Sequence, residues 1–153
     1  RHTPPGENLH TGEADQRVRY WLEKLGKTHL RDMFPSQLSR GQRQRTAIAR
    51  TLATQPDLLI MDEPFSALDA PTREDLQNLI IDQRKTSGLT FIIVTHDIEV
   101  AVIMGNQILI LNEGTNQQPR IVENKDAGSP GYRYQTAFRD RCEDLHHILG
   151  DLL

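Results

Sequence analysis

Asp62 and Glu63 close the stretch LLIMDEP at residues 58–64, where four apolar residues run into adjacent carboxylates and then a proline. The unbroken apolar run predicts a strand covered on both faces in a parallel sheet, and ligands of such sheets sit beyond the carboxyl ends of the strands. Two carboxylates in that place suit a divalent cation and a water. One acid holds Mg2+ through its oxygens, and the next orients or deprotonates the attacking water. Strand-end acids also act as plain helix caps, so position alone leaves the chemistry open. His96 ends a second apolar run, TFIIVTH at 90–96, and reaches the same sheet end. In LSRGQ, residues 38–42, Ser39 and Gly41 stand just before a helical pattern and offer an anion a hydroxyl, open N–H groups and a positive dipole end. The plainer reading of Ser39 is a simple N-cap.

The elements that must hold these groups follow from the spacing of apolar residues. Residues 1–13 are rich in proline, glycine and polar groups and read as a loop. From Ala14 a short helix carries Val18, Trp21, Leu22 and Leu25 and stops at Gly26. Gly41 to Ala53 is a second helix, with Ala47, Ile48, Thr51 and Leu52 on one side and arginines on the other, and Pro56 forbids its continuation. Arg43, Arg45 and Arg50 read as a solvated or structural face. Asp69 and Pro71 start a third helix, on which Leu76, Leu79, Ile80 and Gln83 keep the helical period until Gly88. Strand, helix and strand over 57–96 make a βαβ unit. A helix from Asp97 to Met104 follows. QILILNEG and RIVE then read as a hairpin joined around Thr115–Pro119, and the last helix carries Phe138, Cys142, Leu145 and Leu149 on one face.

Composition bounds the rest. With 37% hydrophobic and 25% charged residues in 153, the chain suits one globular domain. No apolar run approaches the roughly 20 residues that span a bilayer. A net charge of -3 disfavours nucleic-acid binding, which wants a basic surface. The single cysteine, Cys142, rules out an internal disulfide and suits a reducing, cytoplasmic compartment. The adjacent His146 and His147 point about 100° apart on a helix and make a poor metal pair. A start at Arg1 points to a piece of something longer.

LSRGQRQRTAIARTLATQPDLLIMDEPFSALDAPT, followed by FIIVTHD, resembles the ATPase subunit of an ABC transporter. LSRGQ is similar to the family's signature motif, LLIMDEP to its Walker B strand, SALD to its D-loop and VTHD to its switch histidine; together they cover residues 35–98. The resemblance implies an α/β, RecA-like P-loop NTPase fold, a parallel sheet flanked by helices, with part of the helical subdomain. In that frame residues 1–53 are the end of the helical subdomain with the signature helix, 54–123 the carboxyl-terminal half of the ATPase core, and 124–153 a terminal loop and helix. It further implies ATP and Mg2+, with Asp62 on the metal through water, Glu63 polarising the hydrolytic water and His96 touching the γ-phosphate. Ser39, Arg40, Gly41 and Gln42 become nucleotide contacts serving a second ATPase subunit in a homodimer, and Asp69 a link between the two sites.

REDLQNLIIDQRKTSGLTFIIVTHDIEVAV and the tail ENKDAGSPGYRYQTAFRDRCEDL are most similar to the nitrate, sulfonate and taurine importer group. That implies membrane-spanning permease subunits, an external substrate-binding protein, and a place on the cytoplasmic face of the membrane. An ABC-type ATPase of DNA repair or translation is the alternative, but the coiled-coil insertion or basic linker it wants is not in this stretch; a non-catalytic interaction module is another. Two departures stand out. Arg40 occupies a position where the family has glycine, at little cost in ordinary backbone and about 1–2 kcal/mol in a left-handed one. A phosphate-cradling GxxxxGK[ST] loop is missing, because Gly26-Lys27-Thr28 follows a helix and has Trp21 where the first glycine belongs. The chain by itself is therefore expected to be inactive, with one side of the Walker B strand left bare.

Overall fold

The computed structural model describes residues 11–26, 28, 31, 33–111 and 119–150. Residues 1–10 of the loop expected over 1–13, Lys27 and most of the hairpin connection lie outside them, and the remaining three loop residues, 11–13, are helical instead. The elements in chain order are α1 (Thr11–Lys24), α2 (Arg40–Ala53), β1 (Leu58–Asp62), α3 (Ala70–Ser87), β2 (Thr90–Val94), α4 (Ile98–Met104), β3 (Gln107–Ile110), β4 (Arg120–Glu123) and α5 (Thr136–Gly150). The chain divides into two compact units. The first comprises residues 1–59 and 65–90, the second 60–64 and 91–153.

In the first unit each helix starts and stops where its chemistry requires. α1 ends at Lys24, and Gly26 just beyond it has a φ of 62°, the left-handed conformation glycine adopts without penalty. Ser39 and Gln42 form a reciprocal capping box at the start of α2. Asp69 caps α3 by accepting from the Thr72 N–H at 3.0 Å, and Gly88, at φ 73°, closes it. α1 packs on α2, burying Trp21 and Leu22 near its end, while Val18 is exposed. The buried stripe of α2 is Ile48, Ala49, Leu52 and Ala53, one residue on from the expected Ala47, Ile48, Thr51 and Leu52. Thr51 instead donates its hydroxyl to the Ala47 carbonyl at 3.0 Å on its own helix. On α3 the buried positions are Leu76, Gln77, Ile80 and Ile81, with Leu79 half-buried.

β1 pairs with β2. The Thr90 N–H donates to Asp57 O at 3.0 Å and the Glu63 N–H to Val94 O at 2.9 Å, so both strands run the same way. Covering on both faces is not observed. Leu59 and Met61 are buried, whereas Leu58 is 49%, Ile60 65%, Ile92 50% and Val94 57% exposed. The apolar run reflects a sheet whose second face has no covering layer among the described residues.

In the second unit, β3 and β4 form the expected antiparallel hairpin, with Leu109 opposite Ile121 on an exposed face and Ile108 and Ile110 buried. α4 and α5 pack together and bury Val100, Val102, Ile103, Phe138 and Leu145. Leu149, expected on that buried face, is exposed in the last turn of α5. No helix of the described residues is long and apolar enough to cross a membrane.

The bare sheet face gives a direct test. Ile92→Thr with Val94→Thr keeps strand-forming side chains on that face and should change the unfolding free energy by no more than about 0.5 kcal/mol while reducing self-association. Urea titration and light scattering read both quantities. A loss of about 2 kcal/mol would show that these side chains are packed after all.

Candidate functional site

Glu63 sits where β1 ends, with a φ of 44°. Pro64 disfavours a right-handed helical conformation for the residue before it, and a left-handed one costs a side chain about 1–2 kcal/mol. The surroundings hold it there. Its N–H donates to Val94 O at 2.9 Å, and its carboxylate lies against the end of β2. The His96 N–H donates to Oε1 at 2.8 Å, the His96 ring approaches the same oxygen through Nδ1 at 2.6 Å, and the Thr95 hydroxyl donates to Oε2 at 3.4 Å. An ionised carboxylate only accepts, so the ring proton in this contact is on Nδ1. The ring is 85% exposed, which leaves its other nitrogen facing water.

Partial desolvation pushes the Glu63 carboxyl up, but the His96 amide and ring, with the Thr95 hydroxyl, outweigh it and hold the group below its ordinary range. Such a carboxylate is a weak base that stays ionised, suited to orienting a water rather than keeping a proton. Asp62, next to it, is exposed at the strand end, and no protein partner is described for it. One open carboxylate is the donor set Mg2+ accepts, since that ion keeps most of its waters and takes one or two protein oxygens. Asp62 is therefore open to an ion of that kind. No cluster of three metal-ligating side chains occurs among the described residues.

The remaining candidates lie in the first unit. Ser39 Oγ accepts from the Gln42 N–H at 3.2 Å, and Gln42 Oε1 accepts from the Ser39 N–H at 2.8 Å, so both side chains already serve the cap. Arg43 reaches back to Leu38 O at 2.5 Å and ties the preceding turn to the helix, in line with a structural reading of that arginine. Arg40 is the first residue of α2, and the positive-φ residues other than glycine among those described are Gln55 and Glu63. Its side chain thus carries no left-handed cost. A Cβ on Gly41 would lie 3.0 Å from Ala67 O and 3.2 Å from Leu68 Cδ2, so glycine is what lets the SALD turn approach the start of α2. That turn ends in Asp69, the cap of α3.

The structure thus brings Ser39, Arg40, Gly41, Gln42 and the turn leading to Asp69 together in one unit, and Asp62, Glu63 and His96 in the other. Two contributors escaped sequence reasoning. Thr95 binds Glu63 and accepts from the Asp97 N–H at 3.1 Å, and Ala67 offers the carbonyl that Gly41 accommodates. For Thr95 the signal was its place just before a strand-end histidine. An open cleft of about 720 Å³ in the first unit, bounded by Arg17, Trp21, Leu52 and Gln55, contains none of the candidates. The Gly26-Lys27-Thr28 stretch follows the end of α1, so no strand leads into it.

A family model described as ABC transporter matches residues 1–66. The sulfate/thiosulfate import ATP-binding protein CysA of Pseudomonas putida is 37% identical over 151 residues, 99% of this chain and 43% of that protein. The aliphatic sulfonates import ATP-binding protein SsuB 2 of Agrobacterium fabrum is 46% identical over 98 residues, 64% of this chain and 38% of that protein. The chain thus spans less than half the length of these relatives. A solved dimeric ATP-binding cassette in a post-hydrolysis state, bound to ADP and Pi, is 34% identical with a TM-score of 0.66, covering 76% of this chain and 50% of that one. The fold is that of P-loop ATPases of this kind.

The lowered value of Glu63 has a consequence for stability. A carboxyl depressed on folding stabilises the folded state above the ordinary glutamate range, and that contribution is lost as pH falls through the folded value. Urea unfolding followed from neutral into acid should therefore show wild type losing stability more steeply than Glu63→Gln. Parallel curves for the two proteins would contradict the assigned contacts.

Proposed function

We propose that this chain is part of an ABC transporter ATP-binding domain, as its similarities support, and that the whole protein binds and hydrolyses ATP to drive uptake of a small anion of the nitrate, sulfonate or taurine kind. The observation that carries the reading is Glu63, held in a left-handed turn at the end of β1 and bonded to His96 at the end of β2. Import ATP-binding proteins similar along 99% of the chain support it, and they disfavour the DNA-repair and translation alternative.

In this mechanism Glu63 accepts a hydrogen bond from the water that attacks the γ-phosphorus, aligning an oxygen lone pair with the bond to the departing ADP. The ring contact at Oε1 shares or yields its place to that water. His96 turns its exposed nitrogen to a γ-phosphate oxygen, and as a donor there it carries a proton on both nitrogens. Asp62 would hold Mg2+ through water, and the ion would neutralise phosphate charge there.

Ser39 and Gly41 present the start of α2 to nucleotide held by a second copy of the protein, with the Gln42 side chain fixing Ser39. Arg40 adds a guanidinium beside the same phosphates, and Asp69 reaches across the dimer. ATP closure then moves permease subunits fed by an external substrate-binding protein, which places the ATPase on the cytoplasmic side of the membrane. No nucleic-acid partner enters.

In the full-length protein Glu63→Gln should lower steady-state ATP hydrolysis about 100-fold or more with nucleotide binding retained. Undiminished turnover by that variant would end the proposal. The 153 residues alone lack a phosphate cradle and should show no micromolar affinity for Mg-ATP by calorimetry.

A further inference from the structure

We propose that Asn124 and Tyr132 are positioning residues for His96, acting through α4; the inference rests on the ATPase reading above. Both residues are 1% exposed, they hydrogen-bond to each other, and the Arg141 guanidinium lies beside the Tyr132 hydroxyl as well. The Tyr132 hydroxyl donates to Asn124 Oδ1 at 2.9 Å, while Asn124 Nδ2 donates to Val102 O at 2.7 Å and to Gly105 O at 3.0 Å. Two carbonyls facing one end of the amide fix which end is the nitrogen, since carbonyls only accept. Burial pushes the Tyr132 phenol up, so it stays a donor.

The last turn of a helix leaves its carbonyls without partners in the helix. In α4 two of them are met by the segment after β4. Val102 O is met by Asn124 Nδ2 and Ile103 O by the Gly128 N–H at 3.0 Å, while Ala101 O receives the Gly105 N–H at 2.9 Å. At the opposite end Asp97 caps α4 by accepting from the Val100 N–H at 3.1 Å, and the residue before Asp97 is His96, bonded to Glu63. With seven residues, α4 is two turns long and has no intermediate stretch in which a displacement could be absorbed. Buried Val100, Val102, Ile103 and Met104 fix it laterally. Its position along its own axis is set at one end by Asn124 and Tyr132 and at the other by the His96 bonds to Glu63, so losing the first set leaves the second to hold the helix alone and lets the His96 end shift. Reacting groups tolerate little misplacement, and about 1 Å can cost on the order of 100-fold.

The test is a double-mutant cycle in the full-length protein, read as ATP turnover. Tyr132→Phe removes a single hydroxyl and strands Asn124 Oδ1. It should lower kcat about 3- to 30-fold with KM for ATP unchanged, and it should have no further effect in a His96→Ala background. Phe138→Leu is the control, because Phe138 packs edge-on against the Tyr132 ring at 5.6 Å between centroids without joining the hydrogen bonds. It should reduce thermal stability while leaving kcat alone. Asn124→Ser, run through the same cycle, serves where Tyr132→Phe is not fully folded at the assay temperature. Equal losses from Tyr132→Phe with and without His96, an unchanged kcat, or an equal kcat loss from Phe138→Leu would each overturn the inference. If His96→Ala and Glu63→Gln themselves leave turnover intact, it is the ATPase assignment that fails instead.

Discussion

The carboxylate of Glu63 receives the amide and the ring of His96, and this contact ties the exit of one strand to the exit of its neighbour. Without it the left-handed turn at Glu63 would stand as uncompensated strain of about 1–2 kcal/mol in front of Pro64. With it the strain is offset locally, and the price is a carboxylate with a fixed direction and a depressed proton affinity. Stability and the chemistry of the strand ends thus rest on one group. Strained residues concentrate at working sites because only dense bonding sustains them.

A similar economy governs the start of α2. The sequence LSRGQ reads first as a helix cap and only second as an anion site, and the cap is what the structure shows. Ser39 and Gln42 exchange bonds across the cap, and the absent side chain of Gly41 admits the Ala67 carbonyl. Arg40, the departure from the family pattern, sits in ordinary helical backbone and adds charge without distorting it. Asp69 repeats the theme, capping α3 from the turn that Gly41 receives.

Much of this was legible in the amino acids. Glycine and proline placed the helix ends, because the conformations they allow are few: Gly26 and Gly88 do lie in left-handed backbone, and Pro56 follows the last turn of α2. The hairpin and the caps Ser39 and Asp69 followed from equally local rules. Burial was less legible, since it depends on what lies opposite. Val18 fits the period of α1 but stays exposed, and Leu58 and Ile60 belong to an apolar run whose second face is open among the described residues. At the strand ends, residue types marked Asp62, Glu63 and His96, but the sign of the turn at Glu63 and the part played by Thr95 arise from pairing with β2, a contact that no local pattern encodes.

The interleaving of the two compact units along the chain bears on how the protein is made. Residues 60–64 belong with a unit whose remainder begins only at Phe91. On the ribosome, Glu63 must therefore wait for His96, 33 positions later, which at about 5–20 residues per second is a delay on the order of seconds. During that interval the nascent strand Leu58–Asp62 is without its partner β2, an apolar segment of the kind that invites association with other chains.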